Sequence, residues 1–246
     1  MATNSNFNFK NNETLTFELP FSEHVEELRQ RCFHACWITL FLSCFTFFEV
    51  KFLVKILESP VGDVTFVQLA PGEYFVSTVK IAIYTGFLLG SPFAISQVML
   101  FLLPGLTEKE ARIILPLLLS SLILFSLGLF FSYYVLIPAT LAFFLNYSKD
   151  VIASSLSFEQ YFQFILVLFY STGLAFQIPI VQILLGILNI VSAKQMFAKW
   201  KYIILVSTII GAILTPSTDP LTQLLLSFAI LLLYFSGAGI LFLIKK

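Results

Sequence analysis

Residues 101–112, FLLPGLTEKEAR, decide the fold. A Pro104-Gly105 break is followed by four charges in five residues: Glu108, Lys109, Glu110 and Arg112. On either side run about twenty residues of hydrocarbon-like sequence, Val76 to Val98 and Ile113 to Val135. A charged hinge between two membrane-length segments has to sit at a water interface, because hydrocarbon satisfies neither a charge nor an open backbone.

The whole composition agrees. The chain of 246 residues is 58% hydrophobic with mean hydropathy +0.92, and only 11% of it is charged, against about 25% in soluble domains. A polytopic membrane protein follows, with the lipid bilayer as its first partner. Zero net charge gives no electrostatic support to a nucleic-acid partner. The polar start, NSNFNFKNNET, has no apolar run ahead of a small-residue cleavage site, so no secretory signal is expected. Cys32, Cys36 and Cys44 lie at or within the first span and give no disulfide framework. The 29 phenylalanines suggest AT-rich codons, as in an organelle genome.

Residues 1–20 read as a disordered tail, and 21–246 as one membrane domain. Pro20 opens Phe21 to Arg31, where Phe21, Val25, Leu28 and Cys32 recur at helical spacing. That stretch predicts a short amphipathic helix at the membrane surface. Six spans follow, at about 33–48, 76–100, 113–137, 160–188, 202–214 and 221–243. The fifth is short, about 20 Å as a helix against a hydrocarbon core of about 30 Å. It counts as a span because of charge. With six spans, one side collects ten Lys and Arg and the other three or four, which puts both termini inside.

Helix starts are marked by Thr107 with Glu110, Ser157 with Gln160, and Ser192 with Gln195, each fitting a capping box. Asp219 followed by Pro220 reads as an N-cap and first-turn proline. Gly86 and Gly90 offer a small face for helix contact. Pro92, Pro116 and Pro179 predict kinks.

No HExxH, GxSxG, P-loop or GxGxxG motif is present, so no enzyme class, cofactor or metal is indicated. Cys32 and Cys36 bracket His34, but residues four apart on a helix face away from the one between them, and buried small side chains explain them better. The inner surface is more informative. Glu23, Glu26 and Glu27 lie before the first span, and Glu108 and Glu110 in the first inner loop. Singly, Glu27 reads as an i,i+4 partner of Arg31 and Glu110 as part of a capping box. Together they form a pair of carboxylates suited to guanidinium groups.

The string Ser22-Glu23-His24-Val25-Glu26-Glu27-Leu28-Arg29-Gln30-Arg31 resembles the N-terminal signature of the TatC family, the multispanning core of the twin-arginine protein translocase. The likeness continues through Glu58-Ser59-Pro60, Pro71-Gly72-Glu73-Tyr74-Phe75 and Phe101-x-x-Pro104-Gly105-Leu106 with Glu110. It ends with Phe176-Gln177-Ile178-Pro179 and Leu214-Thr215-Pro216-Ser217-Thr218-Asp219-Pro220. These matches fall in order over nearly the whole chain.

The resemblance implies an all-α, six-span, concave, glove-like fold behind a short amphipathic interfacial helix. It implies a receptor for twin-arginine signal peptides on folded cargo, using the proton-motive force. It also implies homo-oligomeric receptor complexes and single-span partners of the TatA-like and TatB-like kind. By the same likeness Glu27 and Glu110 receive the arginine pair, Phe101 and Pro104 shape that site, and His24 and Arg29 belong to its signature. Pro60, Glu73 and Asp219 fall at outer positions for assembly and transport. Gln177 stands at an intramembrane polar position where many bacterial members carry Glu and plastid members Gln. Being neutral, it is no proton carrier, and an interhelical hydrogen bond is the plain alternative.

Some positions depart from the pattern: Val25 for Leu, Ala111-Arg112 for an arginine doublet, and Lys199-Trp200-Lys201 for an arginine pair. The last two soften the positive rim. The expected location is a plastid thylakoid membrane with both termini in the stroma, with a bacterial or cyanobacterial inner membrane as the alternative. A secondary transporter or ion channel is the second class considered, disfavoured because embedded acids and an inverted repeat are missing. An intramembrane protease lacks a Ser-His or Asp pair within the bilayer.

Overall fold

The computed structural model describes residues 21–61, 65–102, 108–148, 155–215 and 219–244; the side chains of 21–24, 102, 108–111, 148 and 155 lie outside that description, as does the 1–20 tail. Ten α-helices are described: α1 (Phe21–Phe48), α2 (Val50–Glu58), α3 (Glu73–Leu102), α4 (Glu108–Phe131), α5 (Ile137–Ser148), α6 (Phe158–Ala175), α7 (Ile178–Ile187), α8 (Ala193–Ala198), α9 (Trp200–Leu214) and α10 (Pro220–Ile244). Five stretches are long and apolar enough to cross a membrane, and α9 is the shorter sixth. The six-span arrangement expected from charge is the arrangement found.

Three departures have physical causes. The amphipathic stretch 21–31 is not a separate surface helix. No Pro or Gly separates Arg31 from Phe33, so it continues into the first span as one 28-residue helix, about 42 Å long. The third span outruns its expected end at 137. α4 passes through one wide turn at Ser132–Leu136, closed by Ile137 N–H on the Ser132 carbonyl, into α5 without leaving the helical path, and that wide turn directly precedes Pro138, which has no N–H to give to the helix. The all-α expectation also missed a small sheet. β1 (Thr65–Val67) and β2 (Ser155–Ser157) pair in parallel and tie the two outer loops together.

The fourth span is two helices. α6 stops at Ala175 and α7 starts at Ile178, with Pro179 in its first turn. This is the kink that proline position predicted. It is also the centre of the packing: α6 and α7 bury 61% of their apolar run and α1 only 11%. Phe162, Ile165, Leu168 and Phe169 of α6 meet Ile81 and Leu88 of α3 and Phe125 of α4 in the main core. α1 touches α3 closely instead. A methyl group built on Gly86 would collide with the backbone of Ser43, and one on Gly90 would come within 2.6 Å of Thr39 Oγ1. The two glycines do form the predicted helix contact. Thr46 Oγ1 adds a hydrogen bond to the Ala82 carbonyl at 2.7 Å.

Candidate functional site

The inner rim starts with the first turns of α1. There Arg29 Nη2 donates to Glu26 Oε1 at 2.5 Å, on the exposed side. Arg31 Nε and Nη2 both donate to Glu27 Oε1, at 3.0 and 2.5 Å, with both side chains about three-quarters buried. The i,i+4 pairing expected of Glu27 is therefore formed, and the carboxylate holds a guanidinium from its own helix. Such a pair is worth a few tenths of a kcal/mol, roughly 0.2–0.5, so it is easily exchanged.

α1 and α3 run antiparallel, with Ser43 beside Gly86 and Thr39 beside Gly90. Carried back along α1, that pairing sets Glu27 level with the last turn of α3, which contains Phe101. α4 then begins at Glu108, so Glu110 lies in its first turn. Glu27, Phe101 and the backbone of Glu110 share one end of the bundle. The side chains of His24 and Glu110, and Pro104 and Thr107 altogether, lie outside the described residues.

The other sites named from sequence separate into two places. Gln177 is buried, at 5% exposure. Its Oε1 accepts from Ser121 Oγ at 2.6 Å and its Nε2 donates to the Ser121 carbonyl at 3.1 Å. The amide thus clamps α4 to the α6–α7 break from both ends. The outer rim holds the rest. Ala70-Pro71-Gly72-Glu73 makes a tight turn, with Gly72 at φ 82° and Glu73 N–H bonded to the Ala70 carbonyl at 3.2 Å. Proline second and glycine at positive φ third are what a type II turn requires.

That turn swings the Glu73 carboxylate back over the loop. Oε2 accepts from the amides of Leu69 (2.5 Å) and Ala70 (3.1 Å), and Oε1 from Ser157 Oγ and the Glu159 amide (3.2 Å each). Glu73 precedes the apolar run that begins at Val76. One acid therefore joins the first outer loop to β2 and α6.

Pro60 sits in a single tight turn, Ser59–Val61, after α2. Tyr161 Oη donates to the Leu57 carbonyl (2.7 Å) and Tyr133 Oη to that of Ile56 (3.1 Å), so two hydroxyls cap the end of α2. Asp219, buried at 1% exposure, is the predicted cap of α10. Its Oδ2 accepts from the Thr222 amide at 2.8 Å and from the Thr222 hydroxyl, which meets Thr140 Oγ1 at 2.5 Å. Sequence reasoning missed this Thr140–Thr222 link and the ion pair of Lys80 Nζ with Glu159 Oε1 at 2.5 Å. Both join residues about eighty positions apart, and no local pattern announces them. Ser157 caps α6 through the Gln160 amide, and Ser192 with Gln195 completes a full capping box. Among the described residues no cluster of metal-binding side chains occurs.

Six packed spans, a charged inner rim and an outer rim closed by buried acids define a polytopic helical membrane protein. Comparison with known proteins makes this specific. The family described as "Sec-independent protein translocase protein (TatC)" matches residues 23–228. The "Uncharacterized tatC-like protein ycf43" of Trieres chinensis is 76% identical over 246 residues, all of this chain and 94% of that one. The "Sec-independent protein translocase protein TATC, chloroplastic" of Pisum sativum is 48% identical over 225 residues, covering 90% of this chain and 63% of that longer one. A crystal structure described as the twin arginine translocase receptor TatC in DDM superposes with a TM-score of 0.79 at 33% identity, covering 88% of this chain and 98% of that chain. The chain belongs to the TatC family and is a component of a Sec-independent protein translocase.

Proposed function

We propose that this protein is the signal-peptide receptor and assembly core of a twin-arginine translocase. Glu27 and Glu110 receive the two arginines of a cargo signal, Phe101 and Pro104 shape the cleft, and His24 and Arg29 form its rim. The observation that carries this reading is the common end of the bundle shared by Glu27, the last turn of α3 and the start of α4. The Arg31–Glu27 pair supports it too: a guanidinium already sits there in two-point contact, and a cargo arginine would take its place. The neighbour whose description includes the word receptor points the same way.

Cargo crosses folded, driven by the proton-motive force, with TatA-like and TatB-like single-span subunits gathered around a homo-oligomeric core. Both termini face the stroma of a plastid thylakoid, a reading supported by the chloroplastic relative and by the Lys and Arg distribution. Photocrosslinking from position 27 or 110 to twin-Arg and twin-Lys precursors tests the assignment. Strong adducts with the arginine form, weaker ones with lysine and loss in the Glu27→Gln, Glu110→Gln double variant are expected. Full crosslinking by that double variant would overturn the receptor role.

A further inference from the structure

Near the outer end of α3 a pocket of about 170 Å³ opens between α3 and α6, lined by Ser77, Lys80, Tyr84, Glu159, Phe162 and Gln163 among others. Its polar content is unusual. The Ser77 hydroxyl is buried, at 2% exposure, and has no hydrogen-bond partner. A buried hydroxyl left this way has given up its water hydrogen bonds without return, which favours a guest that bonds to it. The two charges present, Lys80 and Glu159, already neutralise each other across the helices at 2.5 Å. A charged guest would have to break that pair, whereas hydroxyl groups can donate to Glu159 and accept from Lys80 without doing so.

Below the pocket the same helix faces continue as a second space. Lys80, Tyr84, Phe87, Ser91 and Ala94 recur every three or four residues on α3, and Glu159, Gln163, Leu166 and Tyr170 do so on α6. The inner part, about 550 Å³ and apolar, is lined by Phe87, Ser91, Ala94 and Tyr170 together with Thr39 and Ser43 of α1. A polar end two turns into the outer side of a span, over an apolar run towards the interior, has the shape of an amphiphile. Neither the receptor role nor the inner rim uses it.

We propose that this groove holds a single outer-leaflet lipid with an uncharged, hydroxyl-rich headgroup, hydrogen-bonded to Ser77, Gln163 and the Lys80–Glu159 pair, with an acyl chain along Phe87 and Tyr170. The full chain, reconstituted in phosphatidylcholine nanodiscs containing matched-chain monoglucosyl diacylglycerol or phosphatidylglycerol, is transferred into a lipid-free non-sugar detergent, and the lipid retained is counted by mass spectrometry. Glucosyl lipid should be enriched about fivefold over both phospholipids, the worth of one or two hydrogen bonds. Ser77→Ala should remove that enrichment, while its thermal unfolding midpoint without glycolipid stays level or rises because no orphaned hydroxyl remains. Free glucose should leave the midpoint of the natural chain unmoved, which separates a lipid site from a sugar site. Equal retention of all three lipids, a preference for phosphatidylglycerol, or enrichment that survives both Ser77→Ala and Gln163→Ala would overturn the proposal; so would occupancy of the groove by a partner helix instead.

Discussion

The two rims of this protein use acidic side chains in opposite ways. On the outer side Glu73 and Asp219 are buried and filled by backbone amides and hydroxyls, those on Glu73 reaching from the loop before it and from β2 and α6, those on Asp219 from Thr222 in the helix it caps. On the inner side Glu26 and Glu27 are partly exposed and held by arginines on their own helix. A carboxylate saturated by fixed dipoles holds a fold together and cannot readily let go. One bridged only by an arginine one turn away on its own helix, a pair worth a few tenths of a kcal/mol, roughly 0.2–0.5, can exchange it for another. The hydrogen bonds on the outer acids thus hold segments of the fold together, whereas the proposed receptor role asks of the inner ones only that an arginine be exchanged.

Breaking the contrast from the outer side should have the largest effect. Asp219→Ala removes the cap of α10 and leaves the Thr222 amide unpaired, which should cost about 2 kcal/mol and lower the unfolding midpoint of purified protein. Glu73→Gln is the next lever. It turns one acceptor of the carboxylate into a donor facing the Leu69 and Ala70 amides, Ser157 Oγ and the Glu159 amide, and should weaken the protease resistance of the first outer loop at neutral pH.

Between the rims, Ser121→Ala should cost about 1 kcal/mol by halving the bidentate clamp on Gln177, read in the same unfolding assay. The smallest effect on stability belongs to the inner rim. Glu27→Gln should change it by less than about 0.5 kcal/mol, while still weakening capture of twin-Arg cargo. A large loss of stability there would erase the distinction between the rims.

Much of this was legible beforehand because local chemistry fixes it. Ser192 with Gln195 wrote its capping box, Asp219-Pro220 its helix start, and Gly86 with Gly90 a helix contact. The extent of α1 was misjudged because an amphipathic run and an apolar run without a breaker between them are one helix, whatever their separate patterns suggest. The candidate site was legible only in part: a Glu27–Arg31 pair follows from spacing, but its position level with Phe101 comes from how α1 docks on α3.

The sequence by itself determined the number of spans and several helix starts, because hydrocarbon length and capping act within a few residues of their cause. Only the tertiary structure decided which distant groups meet. Glu73 on Ser157 and Glu159, Thr140 on Thr222, Gln177 on Ser121 and Lys80 on Glu159 are contacts between helices chosen by packing. A polar side chain inside a membrane must find some partner, and which one it finds depends on the neighbour that the packed helices bring within reach.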